Sequence, residues 1–282
     1  MSEENLPSVL KDGSQKEIML MTGQSTGYEA NPTNTLRVNY DDEDSDNRSI
    51  PRGQWTMFVD GKQVFAEEVS LRIMLTRMQY SHFDQDKNEH VSSSIYFTSY
   101  SDECPDTAGT FRCGKPTKKE LQKLPEDEQA AFKAIKLSKV IFGFVSCEAK
   151  TADGEDVSVK DHPVLFYARG THFMPMAEYL EGLTSQGILM MGVNTKLKLN
   201  KKKNGAVVYW EVDPEVADTV EINLEKDTAT LQELMTWINA ENDAILEKWQ
   251  EIRAKGDGTI DTTAKVINLE NDFDDDLPAD MK

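Results

Sequence analysis

From Trp55 onward, apolar and polar residues alternate with the two-residue period of half-buried strands; before it they do not. Residues 54–59 and 62–65 flank Asp60 and Gly61, a pair suited to a tight turn, and predict a β-hairpin. Residues 69–80 predict a long strand, with Leu71, Ile73 and Leu75 on one face and Arg72, Met74, Thr76, Met78 and Tyr80 on the other. Residues 91–100 read the same way, Ile95 and Phe97 opposing Tyr96 and Tyr100. Two further strands are expected at 140–147 and 163–168. Residues 188–199 and 206–212 predict a second hairpin, with Lys201, Lys202 and Lys203 at its turn.

Helical spacing is rarer. Thr117 with Glu120 has the form of a capping box, and Pro125 is placed to open a helix through about residue 136. Apolar residues at 176–183 fall at helical intervals. Thr230 with Glu233 forms a second capping box ahead of Leu231, Met235, Ile238, Ile245, Trp249 and Ile252, in a helix expected to stop near Gly256. Asn242 occupies an apolar slot of that helix's near-heptad seam. The seam can pack on the domain, or its polar residue can set the register of a homodimer. Strands that do not alternate with helices predict a β-rich α+β domain, not a doubly wound sheet.

Three regions follow: a flexible N-terminal arm at 1–52, a β-rich domain at 53–255 with a C-terminal helix, and a disordered acidic tail at 256–282. The chain of 282 residues has no run of eighteen apolar residues and its start lacks a secretory pattern, so a cytoplasmic protein without membrane spans is expected. Three cysteines, Cys104, Cys113 and Cys147, argue against a disulfide framework. The net charge is −19. The last fifteen residues carry six acids and one lysine, Asp41 to Asp46 adds five acids, and the remainder is still acidic. Any nucleic-acid surface must therefore be a local basic groove.

Several constellations exclude more than they support. Asp42, Asp44 and Asp46 have calcium-loop spacing, but Asn47 and Gly53 replace the required glycine and bidentate glutamate. Gly109 to Lys115 begins like a phosphate-binding loop, yet Pro116 stands where a Ser or Thr must ligate magnesium. No nucleophile elbow or paired histidine appears, so no enzyme and no cofactor are expected.

Positive chemistry gathers in the second hairpin. Lys196 and Lys198 oppose Val193, Leu197 and Leu199, Lys201 to Lys203 add charge at the turn, and Tyr209 and Trp210 lie in the return strand. Lysines beside aromatic rings suit phosphate contact with base stacking, the means of single-strand binders with oligonucleotide-binding (OB) barrels. The same lysines can simply guard an exposed hairpin against edge pairing. Arg72, Arg77, Tyr80, Tyr96 and Tyr100 are a second candidate platform, and ordinary packing is the alternative for each.

The end of the chain narrows the choice. Asp272, Phe273, Asp274, Asp275, Asp276, Leu277 and Pro278 resemble the acidic C-terminal tip of single-stranded DNA-binding proteins. The chain continues through Ala279, Asp280, Met281 and Lys282 without a terminal aromatic, which is more similar to the looser tails of the bacteriophage group. That resemblance implies an OB-fold-like barrel elaborated with helices, single-stranded DNA as partner, and a place in DNA replication, recombination or repair in the host cytoplasm. It also implies docking of replication or recombination proteins through Phe273 and Leu277. The order His90, Cys104, Cys113 resembles that of zinc-stabilised members. A closed site needs a fourth ligand, though, and only the distant Cys147 or His82 is on offer, so no metal is assigned. A virion structural or assembly protein is the alternative, and it suits the net charge.

Overall fold

Among the described residues, one sheet of nine strands organises the protein. The structure, a computed structural model, describes residues 34–44, 47–84, 89–98, 122–126, 129–130 and 134–255, without the side chains of 83–84, 89–91, 252–253 and 255. Its strands are β1 (Thr35–Val38), β2 (Trp55–Val59), β3 (Lys62–Ala66), β4 (Val69–Asp84), β5 (Glu89–Ser93), β6 (Ile135–Thr151), β7 (Asp156–Arg169), β8 (Val193–Asn204) and β9 (Val207–Thr219). The longer helices among the described residues are α1 (Phe173–Ser185) and α2 (Leu224–Lys255). Among the described residues no helix is long and apolar enough to cross a membrane.

The sheet closes on itself because β3 and β4 run in succession along one edge of β6. Val64 pairs with Thr151, and past a short break Ser70 pairs with Ser146. Strands β1, β2, β3, β6 and β7 thus form a ring, with β1 joined to β7 in the one parallel pairing among the described strands. From β4 the sheet also extends to β8 and β9. The order β8-β4-β6-β7 is that of a Greek key, the fourth strand returning beside the first.

Alternation of side chains builds two clusters among the described residues, one on each face of the sheet. Leu36, Trp55, Leu71, Ile73, Ile141, Val145, Val164 and Phe166 belong to the core enclosed by the curled sheet. Tyr96, Val140, Phe142 and Leu165 lie on the opposite face and are covered by Leu234, Trp237 and Ile238 of α2. Burying such side chains stabilises by roughly 1.5–3 kcal/mol each, which is what holds the helix to the sheet.

One irregularity lets β4 serve both cores. The register with β6 slips between Ile73 and Leu75, so Ile73 faces the enclosed core while Leu75 packs under α2. Opposite the slip stands Gly143, where a Cβ would lie 2.3 Å from the Arg72 carbonyl oxygen. Leu75 therefore does not share a face with Leu71 and Ile73 as uninterrupted alternation predicts.

Other expectations are met or corrected in detail. The Asp60–Gly61 hairpin forms with both turn residues at positive φ, 50° and 78°. The helical spacing at 176–183 lies inside α1. The sheet begins earlier than the expected arm allows: β1 lies within 1–52, and Leu36, Val38 and Ile50 are buried. The helix expected to reach residue 136 gives way to β6 at Ile135. Helix α2 starts at Leu224, ahead of the predicted cap. Asn223 Oδ1 accepts the Lys226 N–H at 3.0 Å, and Thr230 bonds the Lys226 carbonyl from inside the helix at 3.1 Å. Asn242 spends both ends of its amide on Tyr96, accepting its N–H at 2.7 Å and donating to its carbonyl at 3.0 Å, so this part of the seam packs on the domain. Residues 1–33, Tyr100, Cys104, Cys113, the Thr117–Glu120 cap and the tail at 256–282 lie outside the described residues, as does the side chain of His90.

Candidate functional site

The second hairpin turns two residues later than its lysines suggested. Asn204 pairs with Val207 across a Gly205–Ala206 turn, so Lys201, Lys202 and Lys203 are strand residues that alternate faces. The five lysines therefore split into two sets. Lys196, Lys198 and Lys202 share the outer face, where Glu68 lies 2.7 Å from Lys196, Glu215 2.7 Å from Lys198 and Glu211 3.6 Å from Lys202. The hydrogen bond to Glu215 raises the Lys198 pKa. Asn200 donates to Asp213 on the same face at 3.0 Å, and half-buried Tyr209 stands opposite Lys202. Carboxylates already occupy this set.

Lys201 and Lys203 lie on the other face, exposed, and neither has a carboxylate within ion-pair distance among the described residues. Lys201 Nζ stands 6.0 Å from the centre of the Trp210 ring, and the Arg52 guanidinium approaches the same ring to 5.6 Å. Tyr40 meets Trp210 edge-on at 5.6 Å and is 42% exposed, so its ring is within reach of a ligand. Burial raises the Tyr40 pKa, opposed by a hydrogen bond from the Trp210 N–H and by the charge of the exposed Arg169. Among the described residues Arg52 pairs with Asp42 at 3.4 Å, with both side chains well exposed and the pair correspondingly weak.

Trp210 is the hub of this cluster and not its contact surface, being 7% exposed. Gly53 packs on its indole so closely that a Cβ would sit 2.2 Å from the ring, and the backbone there is left-handed at φ 77°. The edge of β9 beside it is sealed by side chains instead of another strand. Thr171 Oγ1 donates to the Trp210 carbonyl at 3.4 Å, and the Val212 N–H donates to His172 Nδ1 at 3.2 Å. Burial, with a smaller push from Arg169, lowers the His172 pKa to about 4, so the ring is neutral and accepts that bond.

The second predicted platform is not a surface. Arg72 forms a two-pronged ion pair with Asp227 of α2 at 2.8 and 3.1 Å and donates to the Met191 carbonyl at 3.0 Å. Arg77 reaches Met235 on the same helix, its pKa lowered by burial. Tyr80 is buried and stacks on Phe97 at 5.4 Å. Tyr96 is buried between Phe142 and Trp237, with its hydroxyl 3.3 Å from that of Tyr167, and burial strongly raises its pKa. Helix α2 thus engages Arg72, Arg77 and Tyr96, Phe97 covers Tyr80, and Tyr100 lies outside the described residues.

Among the described residues no three His, Cys, Asp or Glu side chains are placed to hold a metal, and burial pushes the Cys147 thiol up to about 11. Sequence reading found Lys201, Lys203 and Trp210 but not Tyr40, Arg52 or Arg169. Tyr40 and Arg52 flank the acidic run in a segment without periodicity, and only long-range pairing brings them to Trp210. The chain matches no protein-family profile, no curated protein and no solved structure.

Proposed function

We propose that the protein binds single-stranded DNA through Tyr40, Arg52, Arg169, Lys201 and Lys203, as a non-enzymatic component of a phage-type replication or recombination system. The observation that carries this reading is the Trp210 cluster: an exposed tyrosine against a tryptophan whose ring is approached by Arg52 and Lys201, on a hairpin whose other lysines, Lys196, Lys198 and Lys202, face carboxylates. Phosphates would take the cations, and an unpaired base would stack on Tyr40 at about 1–3 kcal/mol per base. The Greek-key order and the curled sheet support an OB-type barrel, the architecture that commonly presents such a groove. The acidic stretch Asp272 to Pro278 would serve partner docking, as its resemblance implies.

The occupied outer face of the hairpin and the net charge of −19 favour the rival, an assembly protein. Titration of a labelled oligo-dT, followed by anisotropy at several salt concentrations, separates the two. Four available cations predict a log–log salt slope of about −3 for a single strand, with weaker binding to duplex of equal length. No binding at low salt, or equal affinity for duplex, rejects the proposal.

A further inference from the structure

The loop joining β1 to β2 delivers both Tyr40 and Arg52, and one buried amide fixes its two ends. Asn39 is only 4% exposed, so its polar groups need partners inside the protein. Its Nδ2 donates to the Pro51 carbonyl at 2.8 Å and to the Asp41 carbonyl at 3.0 Å, while Oδ1 accepts the Asp41 N–H at 3.2 Å. Its backbone N–H donates to the Gln54 carbonyl at 2.8 Å, and its carbonyl accepts the Gly53 N–H at 2.7 Å. Tyr40 follows Asn39 directly, and Arg52 lies between Pro51 and Gly53. The contacts that set the loop's span are therefore made next to the two groups it presents.

We infer that Asn39 is a positioning residue of this site: its amide holds Tyr40 and Arg52 at a fixed separation over Trp210, ready for a nucleotide. This rests on the reading that the cluster binds single-stranded DNA. A preset ring and guanidinium spare the strand the ordering penalty of a mobile arginine. Only an amide fills the place. An aspartate of the same shape would turn an acceptor towards two carbonyl oxygens, and a serine is too short to reach both.

The test is a double-mutant cycle on the full chain, with Asn39→Asp and Asn39→Ser each made in the parent and in a Tyr40→Ala/Arg52→Gln background. Circular dichroism first fixes a temperature at which every variant is folded, and oligo-dT affinity is then read by anisotropy. Asn39→Ser carries no new charge and so guards against simple repulsion by Asn39→Asp. The expected result is about a five- to tenfold loss for both variants in the parent and no further loss in the double background, because the residue acts through the groups already removed. An equal loss in both backgrounds, as a general structural defect would give, overturns the positioning role, and so does unchanged affinity in the parent. If Tyr40→Ala/Arg52→Gln alone leaves affinity unchanged, the cluster is not the interface and both readings fall.

Discussion

The two faces of the β8–β9 hairpin carry the same residue type and opposite electrostatics. On the outer face every lysine meets a carboxylate, whereas on the Trp210 side Lys201 approaches a ring and neither it nor Lys203 has a carboxylate within ion-pair distance among the described residues. Counting lysines along the strand therefore overstates the charge available to a ligand. What a cation can do depends on whether the fold has already given it a counter-ion.

The sharpest way to extend that contrast is through the most deeply paired cation. Arg72→Ala would leave Asp227 buried without its partner, and urea unfolding should register a loss of about 3–5 kcal/mol. The oligonucleotide salt slope should not move while the protein is folded. A small stability change with a lowered slope would reverse the roles assigned to the two kinds of basic residue.

Acid offers the next test, on the side-chain seam that backs the open face. The His172 pKa lies near 4, below the ordinary value near 6.5, so its contribution is complete above 6.5 and is lost as pH falls from there towards 4. Between pH 7.5 and 4.5 the parent should lose about 2–3 kcal/mol more than His172→Gln, whose carbonyl can accept the Val212 N–H without titrating. Parallel losses in the two proteins would show that the seam does not depend on a neutral ring.

The smallest effect compares the faces directly. Replacing Lys201 and Lys203 with glutamine should weaken oligo-dT binding by about tenfold and make the slope shallower by about 1.4. The same change at Lys196, Lys198 and Lys202 should alter affinity by less than about twofold. Equal responses would mean that the carboxylates yield to phosphate and the faces do not differ.

Local chemistry made much of the fold legible. The Asp60–Gly61 turn, the strands at 140–147 and 163–168, which lie inside β6 and β7, and the apolar spacing of α1 all follow from rules spanning a few residues. What escaped depends on distant partners. The four residues of β1 are too few to show a period, and their burial comes from β2 and β7. A register slip in β4 has no sequence signature, yet it decides which residues lie under α2. The lysine positions were legible and their neighbours were not: Glu68 meets Lys196 from the turn before β4, and Arg52 meets Trp210 from the loop between β1 and β2.

The extra residue in β4 also fixes what kind of change this strand tolerates least. Removing Met74, which has no partner on β6, would leave Ile73 opposite Gly143 and Leu75 opposite Phe142, each on its present face. Removing a paired residue further along, such as Thr76, would instead rephase everything downstream and turn the Arg77 guanidinium away from Met235. Conservative exchanges leave that phase intact, while a codon-sized deletion outside the bulge inverts it at once. Evolution could therefore vary the strand's composition widely, but its length only at the bulge.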